Sequence, residues 1–365
     1  MRCLQSLLGS LAVAWALVLP AGVAAETPSP QLTSTVNRVS LATGEVVPLA
    51  PDTDVNERVA GAPAGGRVAF TTADGLWLSN GSPGSARLLS STDGTTTSES
   101  GTRELAWSGD GRRLAIGTCV WTPPDGICTF RVSVLEISSG RRFTLPFSAT
   151  SPSLSPRGRR ILAYQQPDGP MVLATVSGQI LRRFGPDLSE MRFAPRGRLI
   201  AYRNTFGLMC VMRDDGKNRR CFGRQGRSPA WSADGSKLAF EATSNWADFR
   251  IAVANVRSTR LAHLVTRPDV SSSDISWSPD GRTLAFGGQC LHVTAHGHTR
   301  CAVPPAGACD MYGTAFLLRS RVVFSAACLG FPLPRRSPRE RIAIAEVSRD
   351  GADACKGSHG ARRRV

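Results

Sequence analysis

The segment Ile275-Ser-Trp-Ser-Pro-Asp-Gly-Arg-Thr-Leu-Ala-Phe286 recurs along this chain of 365 residues. Clear copies are LAWSGDGRRLAI from Leu105, SLSPRGRRILAY from Ser153, MRFAPRGRLIAY from Met191 and PAWSADGSKLAF from Pro229, and weaker ones begin at Ala60 and Thr314. The residue before the final large side chain falls at positions 69, 115, 163, 201, 239, 285 and 323. The resulting spacings of 46, 48, 38, 38, 46 and 38 residues are close to the length of one propeller blade.

Each copy predicts a strand, a tight turn and a second strand. The Asp-Gly pair suits the turn because glycine adopts positive φ without strain. Two more strand-like runs lie between copies, for example residues 249–256 and then 260–265. We therefore predict an all-β fold, a seven-bladed β-propeller of four-stranded antiparallel blades, with six or eight blades as alternatives.

The two ends of the repeat array predict how the ring closes. Residues 36–50 read as the outer two strands of a blade that lacks its inner pair, whereas the inner pair at 314–324 is followed by one clear strand, 341–347. We expect the first segment to complete the last blade, which removes a free sheet edge. The propeller domain is predicted to span residues 36–349.

These copies resemble the WD40-like (PD40) repeat of the TolB-type propeller family. The signature of that repeat is an aromatic residue, then Ser-Pro-Asp-Gly-Arg/Lys, then an aliphatic-Ala-Phe strand. Residues 277–286 match it best, followed by 231–240 and 107–116, and the resemblance covers residues 36–347. It implies a propeller without the amino-terminal α/β domain of TolB. The TolB role, contact with a peptidoglycan-associated lipoprotein, is therefore not carried over.

The first residues predict export. Arg2, the apolar run at 7–19 and the small residues Val23-Ala24-Ala25 form a signal-peptide pattern, predicted to span residues 1–25. A flexible leader is predicted at 26–35 and a disordered basic tail at 350–365. We expect a secreted or periplasmic, cell-envelope monomer with no membrane span after cleavage, because no second apolar run is long enough.

Cysteine spacing predicts four disulfides in an exported chain. Counting outward from the Asp215-Gly216 hairpin turn places Cys210 opposite Cys221. The same spacing recurs around a turn expected at Ala295-His296. The predicted pairs are Cys119–Cys128, Cys210–Cys221, Cys290–Cys301 and Cys309–Cys328, and Cys355 is left over.

The charge is strongly positive, at +16, and only three of the 44 basic residues are lysines. Propeller topology places the first-to-second and third-to-fourth strand turns at one end of every blade, and these turns are rich in arginine. We predict a basic face, with candidate partner-binding residues Arg112, Arg113, Arg159, Arg160, Arg198, Lys237 and Arg282. The alternative is that these arginines are only solvated and that their number reflects codon usage.

The opposite face is predicted to carry longer, more acidic loops. Trp121 with Asp125, and Trp246 with Asp248, are candidate ligand-binding residues there. His292, His296 and His298 form the densest ligand-like cluster, but we predict no metal site, no cofactor and no catalytic residue. A serine hydrolase is disfavoured because the chain has no Gly-x-Ser-x-Gly segment.

The sequence thus predicts a non-catalytic binding or scaffold protein that recognises a protein or an anionic cell-envelope polymer, and not nucleic acid. The alternative is a propeller enzyme, a glycan lyase or hydrolase with its site on the long-loop face. Propeller folds host both classes, so fold alone does not choose between them.

Overall fold

The computed structural model describes residues 32–49, 58–72, 75–91, 101–122, 127–243, 249–266, 275–288, 290–295, 297–303 and 309–329. Within those ranges the regular structure is entirely β, in seven four-stranded antiparallel sheets. The predicted seven-bladed propeller is confirmed.

The strands follow the blades in chain order. The chain enters through β1 (Leu32–Ser40) and β2 (Val46–Pro48), which belong to the last blade. Blade 1 contains β3 (Val59–Gly61), β4 (Val68–Thr72), β5 (Gly75–Ser79) and β6 (Arg87–Ser91). Blade 2 contains β7 (Gly101–Trp107), β8 (Arg113–Thr122), β9 (Ile127–Glu136) and β10 (Arg142–Thr144). Blade 3 contains β11 (Ala149–Leu154), β12 (Arg160–Gln165), β13 (Met171–Thr175) and β14 (Ile180–Arg183).

The remaining blades repeat this order. Blade 4 contains β15 (Ser189–Phe193), β16 (Leu199–Arg203), β17 (Leu208–Arg213) and β18 (Arg220–Gln225). Blade 5 contains β19 (Arg227–Trp231), β20 (Lys237–Thr243), β21 (Phe249–Asn255) and β22 (Leu261–Thr266). Blade 6 contains β23 (Ser276–Trp277), β24 (Thr283–Phe286), β25 (Leu291–Ala295) and β26 (His298–Val303). Blade 7 begins with β27 (Cys309–Leu318) and β28 (Arg321–Leu329).

The ring closes through the first strand of the chain. The inner strands β3, β7, β11, β15, β19, β23 and β27 contact one another in that order, and β27 returns to β3. β1 pairs antiparallel with β28 from Leu32 opposite Leu329 to Ser40 opposite Arg321, and β2 forms the outer edge. The predicted closure is confirmed. β1 begins at Leu32, inside the predicted leader, and the strand expected at 341–347 lies outside the described residues.

Strand pairing corrects two details of the sequence alignment. In six blades the residue before the final large side chain of the repeat pairs with the same position of the inner strand: Ala60, Ala106, Arg192, Ala230, Ser276 and Ala315. In blade 3 the residue that pairs with Ser153 is Leu162, not Ala163. In blade 6 Ala295 pairs with His298, so Ala295 belongs to the strand and not to the turn. The expected turn at Ala295-His296 was therefore wrong by one residue, and Gly297 takes the positive φ.

The first turn of blades 2, 5 and 6 is held by a serine and an aspartate. The hydroxyl of Ser232 donates to Asp234 Oδ1 (2.6 Å), and the same oxygen accepts from the backbone N–H of Ser236 (3.0 Å). Ser108 with Asp110 and Ser278 with Asp280 form the same pair. The following glycines have φ near 70°, as the motif predicts: Gly111, Gly235 and Gly281.

The core of each blade centres on the second strand. Phe70, Phe240, Phe286 and Phe324 occupy equivalent positions in blades 1, 5, 6 and 7, and all are fully buried. Apolar side chains of this kind supply most of the stabilisation, roughly 25 cal/mol per Å² removed from water.

Hydrogen bonds join each blade to the next near the axis. The indole N–H groups of Trp107, Trp231 and Trp277 donate to the carbonyls of Ala60, Arg192 and Ala230 in the preceding blade, at 2.8, 3.1 and 3.0 Å. The hydroxyls of Ser153 and Ser276 instead accept from the backbone N–H groups of Phe193 and Phe316 in the next blade. The large residue of the repeat therefore fixes the angle between neighbouring sheets.

Three of the four predicted disulfides are formed: Cys119–Cys128, Cys210–Cys221 and Cys290–Cys301. Cys210 lies directly opposite Cys221, as counting from the turn predicted. The register also places Cys309 opposite Cys328 on β27 and β28.

Peptide mapping of the unreduced protein should therefore recover a Cys309–Cys328 cross-linked fragment. Recovery of both residues as free thiols would contradict the fourth pair.

Replacing Phe240 by alanine should destabilise the propeller by about 3–5 kcal/mol, because it leaves a cavity in a packed core. The matched control is Phe206→Ala. Phe206 is 75% exposed, so that change should stay within about 0.5 kcal/mol. Denaturant unfolding of the oxidised protein measures both variants, and equal losses would contradict the assigned core.

Asp234 should make stability depend on acid pH. Burial works against its charge, but hydrogen bonds from Ser232 and Ser236 lower its pKa from 3.8 to about 2. A lowered folded pKa gives stability that is present above about pH 4 and is lost as pH falls towards 2. Asp234→Ala should therefore be less stable than the parent at pH 7, and the difference should shrink towards pH 2. A difference that does not change with pH would contradict this role.

Candidate functional site

A channel runs along the axis of the ring and is lined by all seven inner strands. Its volume is about 530 Å³. At one level the seven equivalent positions are Ala60, Ala106, Ser153, Arg192, Ala230, Ser276 and Ala315. Six of them carry a side chain no larger than serine, which keeps the channel open. Arg192 is the one long side chain at this level.

Arg192 interacts with residues of two blades beside its own. Its Nη1 donates to the carbonyls of Ser151 (3.3 Å) and Met191 (3.2 Å). Burial lowers the pKa of Arg192, and the nearby carboxylates of Glu104 and Glu190 oppose that shift. The charge of the guanidinium is therefore supported by two acids, one of blade 2 and one of blade 4.

Both glutamates are hydrogen-bonded to the backbone of the following blade. Glu104 accepts from the backbone N–H (2.5 Å) and the hydroxyl (3.2 Å) of Ser151, and Glu190 accepts from the N–H of Ser228. Ser151, Glu190 and Ser228 have φ of 54, 51 and 54°, at bulges near the start of each inner strand. These carboxylates thus join blades, and their oxygens already accept strong hydrogen bonds.

Sequence reasoning did not single out this cluster. The sequence did contain a pattern that indicates it. The position three residues before the large side chain that ends the first strand of each copy is Glu in the second and fourth copies and Ser in the third and fifth. Of the predicted ligand-binding residues, Trp121 lies in β8 opposite Cys128. Asp125, Trp246 and Asp248 lie outside the described residues, so all four stay predictions.

The predicted basic face, here called the turn face, contains two kinds of cation. Arg112, Arg159 and Arg282 are exposed, and no ion pair is found for them within the part of the chain that the structure describes. Arg113 and Lys237 instead donate to the turn carbonyls of Gly158 (3.0 Å) and Gly281 (2.9 Å) in the next blade. Lys237 also lies 5.6 Å from the ring centre of Trp277.

Arg160 and Arg198 share one buried acid. Both contact the carboxylate of Asp214, at 2.6 and 2.7 Å, and the Asp214 side chain is fully buried. Burial works against the charged form, yet the hydrogen bonds from Arg198 and Arg160 hold the pKa of Asp214 below its usual value. Arg160 thereby ties blade 3 to blade 4, whereas the Arg198 side chain stays 56% exposed.

Most acids on the turn face are already engaged. Arg113 pairs with Glu136, Arg213 with Asp215 and Arg319 with Asp280. Hydrogen bonds from Ser278 and Arg282, acting against burial, keep the pKa of Asp280 low. The carboxylates of Glu136 and Asp280 therefore stay ionised at neutral pH, whereas Arg112 and Arg159 form no ion pair within the described residues.

The two described histidines of the predicted cluster do not converge on one site. His292 is buried with its ring centre 5.3 Å from that of Phe286, His298 is exposed, and His296 lies outside the described residues. Across the described ranges, no three His, Cys, Asp or Glu side chains are placed to hold a metal ion. No helix in the described residues is long and apolar enough to cross a membrane.

No family model matches the sequence, and no curated protein matches it. Among solved structures, the oligogalacturonate lyase from Vibrio parahaemolyticus is 12% identical, with 82% of this chain and 98% of that chain covered and a TM-score of 0.55. The Cps50 (Swd1) β-propeller domain from Myceliophteria thermophila is 12% identical, with 73% and 95% covered and a TM-score of 0.51.

TolB from Acinetobacter baumannii is 16% identical, with 74% of this chain covered and a TM-score of 0.47. The match spans 63% of the TolB chain, less than two thirds of it. TolB thus stands among the structural neighbours, as the repeat predicted. At identities this low the similarities concern the fold alone, a β-propeller, which has seven blades in this chain.

Proposed function

We propose that this protein is a non-catalytic binding protein that acts outside the cytoplasm and holds an anionic partner against its turn face. The observation that carries the proposal is the imbalance of charge on that face. Its acids are engaged in turns and ion pairs, whereas Arg112, Arg159 and Arg282 are exposed and form no ion pair among the described residues. A surface of one sign attracts a partner of the other sign and speeds their encounter.

Export is supported by the cysteines. Three disulfides are formed among the described residues, and disulfides persist in oxidising compartments outside the cytoplasm. The predicted signal peptide and the cell-envelope location belong to the same proposal. Within the predicted partner class, protein or anionic cell-envelope polymer, the presence of exposed cations on several successive blades favours the polymer.

The competing proposal is a glycan lyase or hydrolase with its site on the long-loop face. It is favoured by one observation, the electrostatic interaction of Arg192 with the carboxylates of Glu104 and Glu190 near the long-loop ends of the inner strands. Against it, both carboxylates accept backbone hydrogen bonds that tie blades together. A general acid or base needs an oxygen that can reach a proton on the substrate.

One experiment separates the two proposals. The mature protein is mixed with polygalacturonate or with long-chain polyphosphate, and both binding and polymer length are measured. We expect binding at low salt, loss of binding near 1 M salt, where the screening length is about 3 Å, and no change in polymer length. Shortened polygalacturonate would support the enzyme instead, and absence of binding at low salt would overturn the binding proposal.

The matched control places charge reversals at the opposite end of the blades. Arg58 and Arg203 are exposed there. At about 0.1 M salt the double variant Arg58→Glu, Arg203→Glu should bind the polymer like the parent within about twofold, since the reversed charges are screened beyond a Debye length of about 10 Å. A large loss in this variant would show that the turn face is not the binding surface.

A further inference from the structure

The exposed cations of the turn face are not distributed evenly around the ring. Six of them lie on the outer part of three neighbouring blades, 3, 4 and 5. They are Arg182, Lys217, Arg219, Arg220, Arg257 and Arg260, all exposed, and are here called the blade 3–5 strip. Blade 2, next to blade 3, has the exposed residues Arg141 and Arg142 at the matching place, and blade 1 has Arg87 there. The corresponding segments of blades 6 and 7, residues 296–297 and 41–45, contain no Lys or Arg.

Contacts across the blades show that the strip is continuous. The guanidinium of Arg182 in blade 3 lies beside Gly216 in blade 4, 3.2 Å from where a Cβ would be. Arg219 Nε donates to the Gly216 carbonyl (3.3 Å), and Arg220 Nη1 donates to the carbonyl of Arg257 in blade 5 (3.1 Å). The cationic groups therefore follow one another from blade to blade.

The acids beside the strip do not balance it. Asp214 is buried under Arg160 and Arg198. Asp215 is 31% exposed and lies 3.5 Å from Arg213 and 4.0 Å from Arg198. Neither contacts a member of the strip within the ion pairs that the described residues form. Like charges held close together destabilise the folded state by mutual repulsion, so the arrangement favours a ligand that neutralises them.

The inner turns of the same sector show a second, independent bias. Blades 2, 5 and 6 have Asp110, Asp234 and Asp280 in their first turn, whereas blades 3 and 4 have Arg157 and Arg196 at that place. Both arginines are exposed. A codon preference for arginine would act on all seven blades alike, so it does not account for a concentration on adjacent blades.

We propose that the blade 3–5 strip is the binding site for a linear polyanion, which lies across the three blades and contacts the cations through its phosphate or carboxylate groups. This inference rests on the proposed function and assigns the binding surface within it. A row of charges on separate blades suits a chain that carries charge at regular intervals. Arginine is suited to such groups because its guanidinium donates two parallel hydrogen bonds to one phosphate or carboxylate.

The test compares two double charge reversals on the same face. Lys217→Glu, Arg257→Glu changes the strip, whereas Arg67→Glu, Arg87→Glu changes two exposed cations of blade 1 and gives the same net charge. No side-chain partner is found for these four residues in the described structure, so both variants should fold like the parent. Binding to polyphosphate and to polygalacturonate is measured by calorimetry at low salt, and thermal unfolding confirms the fold.

The strip variant should lose affinity by about tenfold or more, since each surface cation near an anionic surface contributes about 1 kcal/mol. The control variant should lose less than about threefold, because its charges act only at a distance. Equal losses, or a larger loss in the control, would overturn the strip while leaving the turn face as the binding surface. Absence of polymer binding by the parent, or binding to an acidic protein alone, would overturn the strip together with the polymer it is assigned to.

Discussion

The hydrogen bonds between neighbouring inner strands are the constraint on which the propeller depends. An indole N–H, a serine hydroxyl or a glutamate carboxylate of one blade meets the backbone of the adjacent blade. The chemistry differs from interface to interface, but each bond acts where the sheets are closest to the axis. Small changes in these bonds would alter the angle between blades, and the seven angles must together make a full turn for the ring to close.

The same requirement divides the cations of the turn face into two groups. Arg113, Arg160 and Lys237 occupy equivalent places at the start of the second strand, and each reaches into the next blade. These three cations therefore serve to hold neighbouring blades together. One residue earlier in the chain, Arg112 and Arg159 have no such neighbour to reach and face water. The protein thus uses one repeat position for assembly and leaves the adjacent one for a partner.

The sequence predicted the fold well because the repeat contains the residues that determine the geometry of a blade. Glycine at the turn, alternation in the second strand and the Asp215-Gly216 hairpin together determine the blade and the opposition of Cys210 to Cys221. The alignment missed by one residue in blade 3, because Leu162 and Ala163 both suit a buried strand. The roles of Arg160, Glu104 and Glu190 were not predictable in this way. They depend on which residues of the next blade come near, and on a left-handed backbone at the bulges that no side-chain pattern reports.

Pairing of β1 with β28 also determines when the molecule can become complete. Leu32 is made long before Leu329, so the last blade cannot form until almost all of the described chain exists. Contacts between residues so far apart in sequence form slowly, because a long loop must be closed first. For a chain that crosses a membrane before it folds, as the export proposal implies, this delay is useful. The ring stays open until both of its ends are on the same side of the membrane, so the unfinished chain can still be threaded across.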